Sequence, residues 1–191
     1  DVAGLPQSSG GVFVQGGTVG NLSALVVARA EARKQYPDTT RWVIACSEQA
    51  HSSIASAAQV MDIDVLKIAV DENGKLQGNT VAKEIDALHR QSGRRVFAVV
   101  ATAGTTNLGI IDDLAGIGAA AKAREIWFHV DGAYGLAALC APSVRSKFDG
   151  IENADSLIVD PHKWLFAPYD ACALIYRAPE LAREVHTQHA S

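Results

Sequence analysis

Short runs of Val, Ile, Ala and aromatic residues recur along the chain, and most are apolar throughout rather than alternating. They fall at residues 41–46, 65–70, 95–103, 125–131, 156–160 and 171–177, after a first apolar run at Val12, Phe13 and Val14. Uninterrupted apolar runs of this length predict strands buried on both faces, as in a parallel or mixed sheet. Between them lie amphipathic stretches. Residues 21–35 place Leu22, Leu25, Val26 and Ala30 on one helical face, and residues 52–61 form a second such segment. In 80–90, Val81, Ile85 and Leu88 recur at helical spacing behind Asn79 and Thr80 as a cap, and 114–122 follows the acidic pair Asp112 and Asp113. Strand and helix therefore alternate, which predicts an α/β fold: a mostly parallel sheet with helices on both faces. Such sheets bind ligands at the carboxyl ends of their strands, so the residues just after each strand are the candidates for chemistry.

Composition narrows the class. With 191 residues, 48% hydrophobic and 20% charged, the chain has the make-up of one globular domain rather than of a disordered segment. A domain of this size buries roughly 70% of its unfolded surface. Seventeen Lys and Arg against 21 Asp and Glu give a net charge of −4, with no basic excess for nucleic acid. No apolar run approaches the ~18 residues of a membrane span. The start, Asp1-Val2-Ala3-Gly4, has neither an initiator Met nor a basic leader, and the expectation is a piece of a longer chain without a signal peptide. Cys46, Cys140 and Cys172 are far apart and form no CxxC pair, which excludes zinc-ribbon and thioredoxin-like readings; they are expected as buried, reduced thiols of a cytoplasmic protein.

The strand ends carry an unusual set of side chains. After the first apolar run comes Gln15-Gly16-Gly17-Thr18-Val19-Gly20-Asn21 and then a helix. A glycine-rich turn opening a helix exposes unpaired N–H groups and suits phosphate, although a tight structural turn has the same composition. It matches neither GxGxxG nor GxxxxGK[ST]. Next come His51, at a strand-to-helix junction, and Gly104-Thr105-Thr106-Asn107. Asp131 ends a buried run, where a carboxylate serves either as a helix cap or as the partner of a ligand cation, and Gly132 and Ala133 behind it leave room for a flat group. Lys163 follows another buried run, flanked by Pro161, His162 and Trp164; it is either a partly buried nucleophilic amine or a lysine reaching out to solvent.

Taken together these features describe one ligand. A helix start for a phosphate, a buried carboxylate for a ring cation, an imidazole for a flat ring and an amine for an imine are the four things that pyridoxal phosphate requires. A nucleotide-binding module on the glycine turn leaves Asp131 and Lys163 unexplained. A metal hydrolase built on His51, His129, Asp131 and His162 has His129 and Asp131 on one strand face but no HExxH helix.

Five segments carry a family resemblance: Gly16-Gly17-Thr18, Ala50-His51-Ser52-Ser53, Ala103-Gly104-Thr105-Thr106, His129-Val130-Asp131-Gly132-Ala133-Tyr134 and Asp160-Pro161-His162-Lys163-Trp164. In this order, between about residue 10 and about residue 177, the chain resembles the group II pyridoxal-phosphate-dependent decarboxylases, among them the aromatic-amino-acid, histidine and glutamate decarboxylases. The resemblance implies a fold-type-I large domain and a carboxy-lyase acting on an L-amino acid, aromatic by preference. Lys163 would hold the cofactor as an imine that the amino acid displaces to form an external aldimine. Asp131 would pair with the pyridine nitrogen, and His51 would stack on the ring and help to position or protonate the substrate. Ala133 would touch the opposite ring face, Thr106 would lie near the cofactor, and Gly17, Thr18, Ser156 and His162 would contact the phosphate. Asp160 stands where the family often has Asn. The resemblance also implies a homodimer with its active site near the interface. On this reading residues 1–191 are part of the large domain, without the family's N-terminal segment, mobile catalytic loop and C-terminal small domain. A carbon–carbon lyase or an aldehyde-forming synthase on the same core is the alternative activity.

Overall fold

The computed structural model describes residues 2–187. The elements run β1 (Gly10–Val14), α1 (Gly17–Gln35), β2 (Trp42–Ser47), α2 (Ser52–Val60), β3 (Asp64–Ile68), α3 (Gly78–Ser92), β4 (Arg95–Thr102), α4 (Leu114–Lys122) and β5 (Trp127–Asp131). A stretch of 3-10 turns over Gly135–Cys140, Pro142–Phe148 and Ile151–Asn153 then leads to β6 (Ser156–Val159), β7 (Cys172–Tyr176) and α5 (Pro179–His186).

The strands form one seven-stranded sheet in the order β1-β7-β6-β5-β4-β2-β3. From β6 to β3 every pairing is parallel; β7 runs antiparallel to both β6 and β1. The mostly parallel sheet read from the apolar runs is therefore the one observed. Side chains on the central strands alternate between two cores, as a two-residue period requires. Val43, Ala45, Val99, Ala101 and Val130 pack with Val81 and Ile85 of α3 and with Leu114 and Ile117 of α4. Ile44, Cys46, Ala98 and Val100 pack on the other face with Leu25 and Ala28 of α1 and with Ile54 and Ala57 of α2. The β2-α2-β3 and β4-α4-β5 crossovers thus lie on opposite faces of the sheet. The chain order reverses between β2 and β4, where open α/β sheets form a crevice at their strand ends.

Several boundaries differ from the sequence reading for identifiable reasons. Helix α1 begins at Gly17, four residues before the predicted start, because Gly16 (φ 87°) makes the turn into it. Its buried residues are Gly20, Asn21, Ala24, Leu25, Val27, Ala28 and Ala32; Leu22 and Val26 are only partly covered. Helix α3 begins at Gly78, so Asn79 and Thr80 lie inside its first turn rather than capping it. Its capping acceptor comes from afar: Asp113 Oδ2 accepts from Gly78 N at 3.1 Å while Asp113 Oδ1 accepts from Gly116 N at 3.0 Å, so one carboxylate serves two helix starts. Strand β5 begins at Trp127 because Glu125 (φ 55°) still belongs to the turn after α4. Cys46 and Cys172 are buried as expected, whereas Cys140 is exposed.

Candidate active site

The carboxyl ends of the strands surround a cavity of about 310 Å³. The start of α1 contributes Gly16, Gly17, Thr18 and Asn21. The segment after β2 adds His51 and Ser53, and the turn after β4 adds Gly104, Thr105 and Thr106. Asp131, Ala133 and Tyr134 come from the end of β5, and Asp160, His162, Lys163 and Tyr169 from beyond β6. Gly17, Thr18, His51, Thr106, Asp131, Ala133, Asp160, His162 and Lys163, singled out from the sequence, therefore meet in one place. Ser156 does not line this cavity. It opens β6, fully buried, and its hydroxyl is engaged behind the site rather than facing it.

Strand β5 explains the floor. Its period of two turns Phe128 and Val130 into the core under α3 and α4 and turns Trp127, His129 and Asp131 to the other face. Asp131 is buried, and both of its carboxylate oxygens are satisfied. Oδ2 accepts from Asn21 Nδ2 at 2.9 Å and Oδ1 from the backbone N–H of Ala133 at 3.1 Å. A buried carboxylate is tolerable on these terms, and its remaining lone pairs stay open for a further donor in the cavity. Asn21 Nδ2 also donates to Ser53 Oγ at 2.9 Å, and its Oδ1 lies 2.8 Å from His129 Nε2. His129 is completely buried, and that burial holds its imidazole well below the usual histidine range, against the opposing pull of Asp131.

Lys163 extends from the turn after β6, its Nζ 2.9 Å from Asp160 Oδ2. Partial burial, expected from its place after an apolar run, is not what holds this amine: the side chain is 37% exposed and is restrained by the buried Asp160 carboxylate. Asp160 Oδ2 also accepts from Gly17 N at 3.2 Å, while its Oδ1 is buried without a hydrogen-bond partner. Burial and the adjacent Asp160 push the Cys172 thiol up, which keeps it protonated and unreactive. His51 Nδ1 accepts from Ser53 N at 3.2 Å and lies 2.9 Å from Ser53 Oγ. His162 Nδ1 lies 2.7 Å from the carbonyl oxygen of Ala171.

The cradle fits a phosphorylated pyridine aldehyde. Gly16 offers no capping side chain and the first turn of α1 carries no acidic residue of its own; Asp160 takes the Gly17 N–H, and the other first-turn N–H groups are left to an anion. A Cβ at Gly17 would stand 3.0 Å from Asp160 Oδ2 and 3.3 Å from the Ala133 methyl, so a larger residue would crowd this wall. A buried acceptor at Asp131 and an amine at Lys163 complete the set. Around the mouth stand large apolar side chains: Tyr134 and Trp164 stack face to face at 5.2 Å, and Phe166 and Tyr169 are 87% and 83% exposed.

The sequence reading gave no role to Asn21 or Ser53, and the only chemical role it weighed for His129 was that of a metal ligand. The available signal was the two-residue spacing of His129 and Asp131 on one strand face. Among the described residues no helix is long and apolar enough to cross a membrane.

Comparison with known proteins agrees with this geometry. The model of the pyridoxal-dependent decarboxylase conserved domain matches residues 1–190. An aromatic-L-amino-acid decarboxylase of Bacillus atrophaeus is 38% identical over 184 residues, covering 94% of this chain and 38% of the relative. An L-2,4-diaminobutyrate decarboxylase of Rhizobium meliloti (strain 1021) is 38% identical over 180 residues, covering 92% of this chain and 35% of the relative. The crystal structure of Oryza sativa TDC with PLP and tryptamine superposes with a TM-score of 0.92 at 25% identity, covering 100% of this chain and 42% of that one. The chain thus spans well under half the length of each.

Proposed function

The chain belongs to the pyridoxal-dependent decarboxylase family, and from that premise we propose that it is the cofactor-binding core of an enzyme that removes the α-carboxyl group of an aromatic L-amino acid with pyridoxal 5′-phosphate. The observation that carries the reading is that Asp131 and Lys163 open onto one cavity together with the glycine-rich start of α1. When bound, the cofactor supplies a carbonyl carbon for an amine and a pyridinium ring that accepts electrons from the carbon losing its carboxylate.

The chain's own residues divide the remaining work. Lys163 Nζ is the covalent anchor, delivered from the turn after β6, and Asp160 holds it at the cavity edge. Asp131 is the acceptor that keeps the ring nitrogen protonated, because a buried carboxylate already held by two donors has a fixed direction in which to receive a third. The first-turn N–H groups of α1 beyond Gly17, the Thr18 hydroxyl and His162 receive the phosphate, with Thr106 nearby. His51 and Ala133 flank the ring and exclude water from its faces. Lys163 Nζ must leave Asp160 before it acts as a nucleophile.

Preference for an aromatic substrate is supported by the Tyr134–Trp164 stack at the mouth and by the name of the Bacillus relative. In the same reading the chain is part of a larger cytoplasmic homodimer, and its exposed apolar rim is covered by further chain or by the second subunit. The test is to incubate the full-length enzyme with pyridoxal phosphate and a panel of L-amino acids, following carbon dioxide, amine and aldehyde. Equal yields of carbon dioxide and amine, greatest for an aromatic substrate, are expected. Aldehyde and ammonia in place of amine would overturn the decarboxylase assignment.

A further inference from the structure

A file of polar groups runs from Trp127 to the cavity, and Trp127, Ser156, His129, Asn21 and Ser53 in it have no part in the roles above. Trp127 Nε1 lies 2.8 Å from Ser156 Oγ, which lies 2.8 Å from His129 Nδ1. His129 Nε2 lies 2.8 Å from Asn21 Oδ1, and Asn21 Nδ2 reaches Asp131 Oδ2 and Ser53 Oγ, both at 2.9 Å. Ser53 Oγ lies 2.9 Å from His51 Nδ1.

The direction of every hydrogen in this file follows from the Asp131 carboxylate, which only accepts. Asn21 therefore turns Nδ2 to Asp131 and Oδ1 to His129 Nε2, which must carry a hydrogen to give. The imidazole, held neutral by burial, then has a bare Nδ1 that accepts from Ser156 Oγ, and Ser156 Oγ in turn accepts from Trp127 Nε1–H. The Asn21 amide is then oriented, with both Nδ2 hydrogens directed at Asp131 and Ser53. Ser53 passes its own hydrogen to His51 Nδ1, leaving His51 with its hydrogen on Nε2. The far end gives the same answer independently, since the backbone N–H of Ser53 also donates to His51 Nδ1 and requires that nitrogen to be bare. A reversed Asn21 amide would set its oxygen against the Asp131 carboxylate and its NH₂ against a donating imidazole.

We propose that Asn21 is a positioning residue, the junction through which one unidirectional chain of donors from Trp127, Ser156 and His129 orients both the ring-nitrogen acceptor Asp131 and the ring-stacking His51. The proposal rests on the pyridoxal phosphate reading and adds to it the residues that set the polarity of the site. Trp127 and Ser156 lie outside the cavity lining, so their influence on a bound ring is transmitted only through His129 and Asn21.

The experiment uses full-length enzyme titrated with pyridoxal phosphate. It records the dissociation constant, the visible band of the bound cofactor and the pH midpoint of that band. Asn21→Ala is expected to weaken binding roughly tenfold, the scale of one lost buried hydrogen bond to a charged group, and to move the midpoint. Ser156→Ala is expected to move the midpoint in the same direction by less. His129→Gln, which keeps an N–H donor toward Asn21, is expected to stay nearer wild type than His129→Leu. Variants that lose only thermal stability while keeping the wild-type band and midpoint would overturn the proposal alone. A wild-type enzyme that does not retain pyridoxal phosphate would overturn the functional reading and the proposal with it.

Discussion

The floor and the rim of the cavity are built on opposite principles. On the floor, Asn21, His129, Asp131 and Ser156 are buried, and each hydrogen-bonds to another side chain at 2.8–2.9 Å. On the rim, Trp164, Phe166 and Tyr169 are 45–87% exposed, and the stack of Trp164 on Tyr134 joins side chains that both remain half in solvent. A buried polar network has one satisfied arrangement and is therefore stiff; an exposed apolar loop has many. The difference teaches where each part of the function resides. On the proposed reading, chemistry common to many amino acids would fall to the floor and discrimination among them to the rim, whose apolar surface calls for a cover.

The comparison breaks most sharply at Asp131. Asp131→Asn preserves shape and removes the charge facing the ring nitrogen, and kcat of the full-length enzyme is expected to fall by roughly 10²–10³, with pyridoxal phosphate still bound; steady-state kinetics beside absorbance would show it. The rim should respond in the opposite sense. Trp164→Ala removes the stack with Tyr134, and kcat/KM ratios among aromatic substrates are expected to change up to about tenfold, with cofactor retention measured by gel filtration close to wild type.

Acid sharpens the contrast through His129. Burial lowers its folded-state pKa below the unfolded value of 6.5. The unfolded chain therefore binds the proton first, and this group's contribution to stability, complete above pH 6.5, is lost as the solution is acidified below it. The loss is about 1 kcal/mol per pH unit. Asp112, raised to about 6 by burial, contributes the opposite slope. That term cancels when wild type and His129→Gln are compared by urea denaturation at pH 7 and pH 5, and the variant is expected to lose less stability. The smallest effect falls between floor and rim. Asp160→Asn removes the charge that holds Lys163 Nζ at 2.9 Å, and because Lys163 is partly exposed the rate of pyridoxal phosphate capture is expected to change by no more than about threefold, as stopped-flow absorbance would report.

The same contrast explains how far the sequence could be read. The ends of buried apolar runs led directly to Asp131 and Lys163, because a charged residue after such a run has few reasons to be there. Asn21 stayed hidden because the glycine turn was taken to extend up to it. With the helix starting at Gly17, Asn21 lies one turn inside and faces the sheet. Its partners His129 and Asp131 are 108 and 110 residues away, a separation that no local pattern encodes. The double capping by Asp113 was illegible for the same reason, since Gly78 N lies 35 residues away. Ser156, assigned to the phosphate by resemblance, is turned from the cavity by its register opposite His129.

The central claim, that the carboxyl ends of these strands hold pyridoxal phosphate on Lys163, is tested most directly by treating the loaded full-length enzyme with borohydride and mapping the modified peptide. A pyridoxyl group on Lys163 and on no other lysine is the expected result. A label on Lys122 or Lys147, with Lys163 unmodified, would contradict it.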